Sequence, residues 1–409
     1  MQEPTTGAPG TRPPVAPGEE HASSRIPAPY LALMAGPLSF GIAGPALVLD
    51  DIARGLGTTE STVTWCVVAF GWGIAVGTPL MAGLMRHKGT RLALLACGLQ
   101  IVLGAALVLG VPVPAAAIVG CALQALGTAG LTSIAMSLAG SPLRMGIVSA
   151  SLAVVGASAP LAGSLVNGAV SWRAALALPV ISVLGVLAVL RRVPGGRAPD
   201  SGTFDGLGAV MVTALVTALV FVPKEPLVAG VCAVVAVVAL FRHIRNRPYG
   251  FVPAPLVGRP AFLVACVLAF ALAVVNFGLM YAVPESLSEH TDWTSDRIGV
   301  SMVWPLLLGG GLSWFVVAAS GPLGRRPVVA VLVALGAIAP LLALSGSWTV
   351  LLAAQAAASI AAASGQGVLA GQATDGVRGV ELPAAIGLFN LCYLLGAAFG
   401  PSIATLLAG

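Results

Sequence analysis

Charge is what this chain has least of. Only 9% of its 409 residues are Asp, Glu, Lys or Arg, against about a quarter in a soluble globular domain, so most of its length does not live in water. The six cysteines (Cys66, Cys97, Cys121, Cys232, Cys266, Cys392) stand singly inside apolar runs with no CxxC spacing. That excludes the usual zinc and disulfide-exchange frames and leaves buried free thiols. The four histidines (His21, His87, His243, His290) all fall between those runs. With no His, Cys or acid constellation facing a common site, neither an enzyme, a resident cofactor nor a bound metal is expected. The net charge of +5 is small and scattered, so there is no basic stripe of the kind that binds nucleic acid.

What the chain does have is apolar length: 57% hydrophobic residues and a mean hydropathy of +0.98. Residues 1–29, rich in Pro, Gly and Thr, lack the apolar stretch of a signal peptide and read as a disordered polar tail. A helix crossing about 30 Å of hydrocarbon needs roughly 20 residues. Thirteen apolar runs approach or meet that length, near 30–49, 63–85, 92–111, 113–138, 145–168, 172–190, 206–222, 226–241, 261–283, 298–319, 327–345, 348–372 and 382–407. None shows the two-residue alternation of a barrel strand. The fold class is an all-α polytopic membrane protein whose immediate partner is the lipid bilayer.

The short turn inside "AGLMRHKGTRLAL" (82–94) holds Arg86, His87, Lys88 and Arg91 and no acid. If the tail is cytoplasmic and the thirteen runs alternate, all Lys and Arg fall on the cytoplasmic side except Arg54, Arg173, Lys224 and Arg297. That is a strong positive-inside bias. It predicts a plasma-membrane protein with its N-terminus in the cytoplasm, and it gives the loop's cations an orienting role. Two internal echoes follow. "GTRLALLACG" from Gly89 resembles "GRRPVVAVLVALG" from Gly324, and "APLAGSL" around Pro160 resembles "GPSIATLL" around Pro401, at offsets of 235 and 241. Such offsets suit a duplicated half of six helices plus an inserted pair at 206–241.

The segments "TVTWCVVAFGWGIAVGTPLMAGLMRHKGTRLAL", "LQALGTAGL", "GASAPLAGSL" and "SWRAALALP", in that order, resemble the major facilitator superfamily. With the inserted pair and the "FVPAPLVGRPAF" lead-in to the second half, the chain is most similar to its fourteen-helix drug:proton antiporters. The resemblance implies an N-terminal bundle over 30–191, a linker with two extra helices over 192–260, and a C-terminal bundle over 261–409. It also assigns conformational roles. In the loop motif Leu84, Gly89 and Arg91 match, but Arg86 stands where the family has the acid that latches the two halves. In the helix-four motif the family's arginine position is Cys121, followed by Gln124 and Ala125. The helix-five antiport motif keeps Pro160 and Gly163, with Ala159 for its central glycine, and Trp172 and Arg173 match the start of the next helix. The family's first-helix acid aligns with Gly41, or slips to Asp50 or Asp51.

Backbone-shaping residues are therefore kept while intramembrane charges are lost, and no ionisable group lies in the middle of a run. Protons as coupling ions are left with carriers at helix ends, Asp50, Asp51 and Glu285 above all, with Asp205 and Glu381 further candidates; the plain reading of all five is a solvated end. Cargo is expected to meet mid-helix groups that hydrogen-bond without a charge: Gln124, Asn276, Gln366 and Asn390, with Met280, Tyr281, Phe389 and Tyr393 as an apolar surround. Gln100 and Gln355 are of the same kind, and most such amides simply join helices. The small-residue stripes "GIAVG" (Gly73, Gly77), "GVLAG" (Gly367, Gly371) and "GAAFG" (Gly396, Gly400) suit surfaces that slide, or ordinary helix packing. Only five core helices are counted after residue 260. A shortened sequence, a covering partner, or a miscounted span would each account for that.

The functional expectation is a secondary active exporter of small amphipathic molecules, as in drug or secondary-metabolite efflux, working by alternating access. Uncoupled facilitation is a second reading, and a non-transporting membrane binding protein a third.

Overall fold

In hydrocarbon an unpaired backbone N–H or C=O has no water to turn to, so a chain this apolar must close its hydrogen bonds within each spanning segment. The computed structural model describes residues 26–193, 205–222, 225–377 and 381–408, and every regular element among them is a helix. Ten of these helices are long and apolar enough to cross a membrane, and three shorter apolar stretches account for the remaining expected runs. Residues 1–25 of the expected tail and 194–204 of the expected linker lie outside the described residues.

The first run is broken into α1 (Ala28–Ala35), α2 (Leu38–Ala43) and a 3-10 turn over Gly44–Leu47. Pro37 and Pro45 sit at those breaks, where a ring without an N–H interrupts the ladder. A separate short helix, α3 (Leu49–Leu56), follows and carries Asp50 and Asp51 in its first turn, where a carboxylate is favoured by the helix dipole. The two acids thus sit in the first turn of a separate short helix rather than end the first spanning one. Next come α4 (Glu60–Lys88), α5 (Thr90–Gly110), α6 (Pro114–Ala139) and α7 (Pro142–Ala169). The sixth run is α8 (Trp172–Leu176), a 3-10 turn around Pro179, and α9 (Ser182–Leu190).

The inserted pair is α10 (Gly206–Phe221) and α11 (Pro226–Asn246). A short α12 (Ala254–Val257) leads to α13 (Pro260–His290), α14 (Ser295–Ala319), α15 (Arg325–Ala343), α16 (Trp348–Ala373) and α17 (Leu382–Ala408). α13 continues past Pro284, where the sequence suggested a stop.

The segments echoed around Gly89 and Gly324 also begin alike in the backbone. Gly89 (φ 88°, ψ 161°) precedes α5, and Gly324 (φ 82°, ψ 151°) precedes α15. Both occupy a conformation open to glycine and strained for other residues. Within the first half α4 and α5 pack on α6, and within the second α13 packs on α16 and α17, α14 and α15 on α16. The halves meet along two joints, α4 with α17 and α7 with α14 and α16. The extra helix α10 lies against α4, where Trp72 Nε1 donates to Thr217 Oγ1 at 2.9 Å and the Trp65 and Phe221 rings are 6.1 Å apart.

Most glycine stripes serve packing inside a half. A Cβ on Gly73 or Gly77 would meet α6 backbone (Ala122 O at 2.6 Å, Leu126 Cα at 2.7 Å), and one on Gly396 would meet Phe270 O of α13 at 2.4 Å. Gly367 differs, since it faces Val317 of α14 and Gly146 of α7 at a joint between the halves.

Candidate functional site

A cavity of about 100 Å³ opens between the halves at mid-depth, room for several waters. Toward the end carrying Arg86, which we call the basic end, the halves are closed on one another. Gly146 packs on Val317 and Gly367, and Gly387 of α17 packs on Ala82 of α4. At the depth of the cavity Gly310 meets Val154.

α13, α16 and α17 bring Asn276, Met280, Gln366, Asn390 and Tyr393 to this cavity, as the sequence suggested. The other three named residues stand elsewhere. Tyr281 is 51% exposed on the outer surface, since one residue along a helix is about 100° around it. Phe389 is fully buried in the main apolar core. Gln124 is fully buried too, its Cγ packed where a Cβ on Gly104 of α5 would lie, and neither amide atom has a hydrogen-bond partner.

The first half contributes groups the sequence reading passed over: Ser39, Thr78, Thr132 and Ser149. Thr78 and Thr132 donate to the carbonyls of Ile74 and Thr128, four residues back, and Ser39 donates to Leu152 O at 2.7 Å. Hydroxyls that satisfy their own helix, as the two threonines do, are common in apolar helices, so no local signal singled them out. Ser149 Oγ, buried, has no partner. On the facing half, Asn390 Nδ2 donates to Met136 Sδ at 3.4 Å while its Oδ1 has no partner, and Gln355 Nε2 donates to Asn276 Oδ1 at 3.1 Å. Two buried polar atoms of cavity-lining residues, one from each half, are thus without a hydrogen-bond partner in this form. Among the described residues, no Asp, Glu, His, Lys or Arg lines this cavity.

The candidate proton carriers lie away from it. Asp51 pairs with Arg54 and accepts from Asn167 Nδ2 at 2.5 Å, Asp50 is exposed beside it, and Glu285 borders a groove between α13, α15 and α17. Of the conformational residues, Arg86 is buried and donates to Gly250 O at 2.8 Å and Tyr249 O at 3.2 Å. Leu84 packs on the core, Arg91 is exposed, and Gly89 makes the turn. Pro160 lies inside α7, Gly163 abuts Gly44 O, and the Trp172 ring fills the space over Gly55 with the Arg173 guanidinium 5.2 Å from the ring centre.

Two helical halves around a mid-depth cavity are a transporter's architecture, and the comparisons agree. The family model of the Major Facilitator Superfamily matches residues 30–279 and 261–409. The chain belongs to the major facilitator superfamily. Its superposition on the proton:xylose symporter XylE has a TM-score of 0.62 at 17% identity, covering 94% of this chain and 89% of that one. The human organic anion transporter MFSD10 gives 0.61 at 16%, covering 96% and 94%. These likenesses show the superfamily fold. In sequence, the chain is 31% identical over 178 residues to a chloramphenicol resistance protein of Streptomyces lividans, 41% of this chain and 44% of that protein. It is 27% identical over 207 residues to an uncharacterized MFS-type transporter of Mycobacterium tuberculosis, 46% of this chain and 30% of the relative. Each match thus spans less than half of the relative's own length.

Proposed function

We propose that this major facilitator protein exports small, uncharged amphipathic molecules across the cell membrane by alternating access, with its N-terminus in the cytoplasm. One observation carries the reading: the cavity wall is apolar apart from hydroxyls, amides and a phenol, with buried acceptor and hydroxyl groups left open on opposite halves. Such a wall offers hydrogen bonds and dispersion but no counter-charge, so a cation or anion would lose its hydration without compensation. A drug-sized ligand needs about 300 Å³ or more, so binding requires the halves to part from the form described here. The chloramphenicol resistance relative supports efflux as the direction.

A second reading, facilitation without proton coupling, is favoured by the cavity's lack of ionisable lining among the described residues. The deciding experiment measures accumulation of neutral and cationic fluorescent amphiphiles in cells with and without the protein, before and after a protonophore. Lower accumulation of the neutral members is expected. Abolition by the protonophore supports coupled export, whereas an unchanged final level reached faster, with or without the protonophore, supports facilitation. An equal final level reached at an equal rate for every member, with the protein verified in the membrane, overturns both.

A further inference from the structure

The segment joining the extra helix pair to the second half is built more tightly than a connector requires. Asp205, just before α10, is buried, and its carboxylate accepts from Gly208 N at 3.0 Å, from Phe251 N at 2.9 Å and lies 2.8 Å from His243 Nε2 near the end of α11. Arg247 stands 4.0 Å away. One side chain therefore ties the start of α10, the end of α11 and residue 251 together. The same segment turns back on itself, with Gly250 N donating to Arg247 O at 3.0 Å and Ala254 N to Pro248 O at 2.8 Å.

What the segment touches matters more. Arg86, at the basic end of α4, hydrogen-bonds the carbonyls of Tyr249 and Gly250. The Phe251 ring occupies the space over Gly83, where a Cβ would lie 2.5 Å from it. It also borders a crevice shared with Pro79 and Ala82 of α4 and Ala384 and Leu388 of α17. Glu381, at the foot of α17, is close enough to Arg86 for charge attraction. Phe251 thus stands at the joint whose closing seals the basic end, and it stands there because Asp205 holds its backbone.

We propose that residues 247–252 form a strap that locks the α4–α17 joint shut, with Phe251 as the wedge, Asp205 as the anchor and Arg86 as the tie. The strap takes over the latching that the family assigns to an acid at the position of Arg86. Its hold is released when the basic end opens, because α17 cannot leave α4 without uncovering Phe251 and separating Glu381 from Arg86. The extra helix pair is then part of the gate, and its loss or displacement frees that gate whatever the cargo is.

The test is hydrogen–deuterium exchange on the full chain in lipid nanodiscs, which requires no knowledge of the cargo and is independent of the export reading. Asp205→Asn and Phe251→Ala should each speed exchange in the stretches 78–88 and 382–392 by about tenfold, the change that follows from losing a charged hydrogen bond or its consequence. Exchange in the outer part of α6 should be unchanged. Phe251→Leu, which refills the crevice, should restore wild-type protection. If both variants exchange like wild type at the basic end while staying monodisperse, the strap is not a lock. Exchange raised evenly through every helix also overturns the proposal, since it marks general loosening. Should Asp205→Asn fail to fold, Phe251→Ala and its Leu rescue decide alone.

Discussion

Asn390 and Ser149 are the residues on which the cavity's chemistry can be judged most directly. Each presents a buried polar atom without a partner, one from α17 and one from α7. Asn390→Ala and Ser149→Ala should each weaken apparent cargo affinity by about fivefold, the loss of one hydrogen bond worth about 1 kcal/mol, read as a smaller ligand-induced rise in unfolding temperature. Gln124 has the opposite expectation. Its amide is buried away from the cavity and unsatisfied, so Gln124→Leu should leave affinity unchanged and the unfolding temperature equal or higher, by thermal unfolding of purified protein. At Asp205, burial alone would raise the carboxyl, but the Phe251 N–H, His243 and the Gly208 N–H outweigh it and hold it below the usual range. Arg247 also faces it, and His87 and Arg86 stand nearby on α4. A depressed folded value means the carboxylate's contribution is complete above about pH 3.9 and is lost as pH falls through the lower folded value. Basic-end exchange should therefore show no loosening from this carboxylate between pH 7 and 5, and loosening only in stronger acid.

At the scale of the element, the close approaches make a sharp pair of expectations. Gly77 touches α6 backbone, whereas a Cβ on Gly71 meets nothing within 4 Å. Gly77→Val should cost about 1–3 kcal/mol by overpacking, and Gly71→Ala should be neutral or stabilise by up to about 1 kcal/mol, as measured by reversible unfolding in detergent. Helix existence and order were legible in the sequence, because runs of about 20 apolar residues bounded by charge have one physical solution in lipid. The breaks at Pro37 and Pro179 were not, since 30–49 and 172–190 each read as one continuous apolar run. Nor was the facing of each helix. Helices such as α13 and α17 are apolar all round, so no stripe tells Met280 from Tyr281 or Asn390 from Phe389. The cavity threonines on α4 and α6 were hidden for a related reason, since a Thr that bonds its own helix looks the same wherever it points. Arg86 was legible as an orienting cation, but its carbonyl partners lie more than 160 residues away and leave no local trace.

For the whole molecule, the form described is shut at the basic end by small residues at one joint and by a strapped aromatic wedge at the other. Gly146→Leu would drive a side chain into Val317, 3.0 Å from where its Cβ would lie. It should keep folded yield yet lower export of neutral amphiphiles by tenfold or more, checked by accumulation alongside size-exclusion profiles. The two joints are unequally furnished. The α4–α17 edge is buttressed by an inserted helix, whereas the main packing at the α7–α14 edge is with α16 and with elements of its own half. Unequal restraints imply an order of events: the α7–α14 edge parts first, and the α4–α17 edge gives way last, once the strap lets go. The basic end then opens in two stages, and its pace is set by the linker rather than by either half.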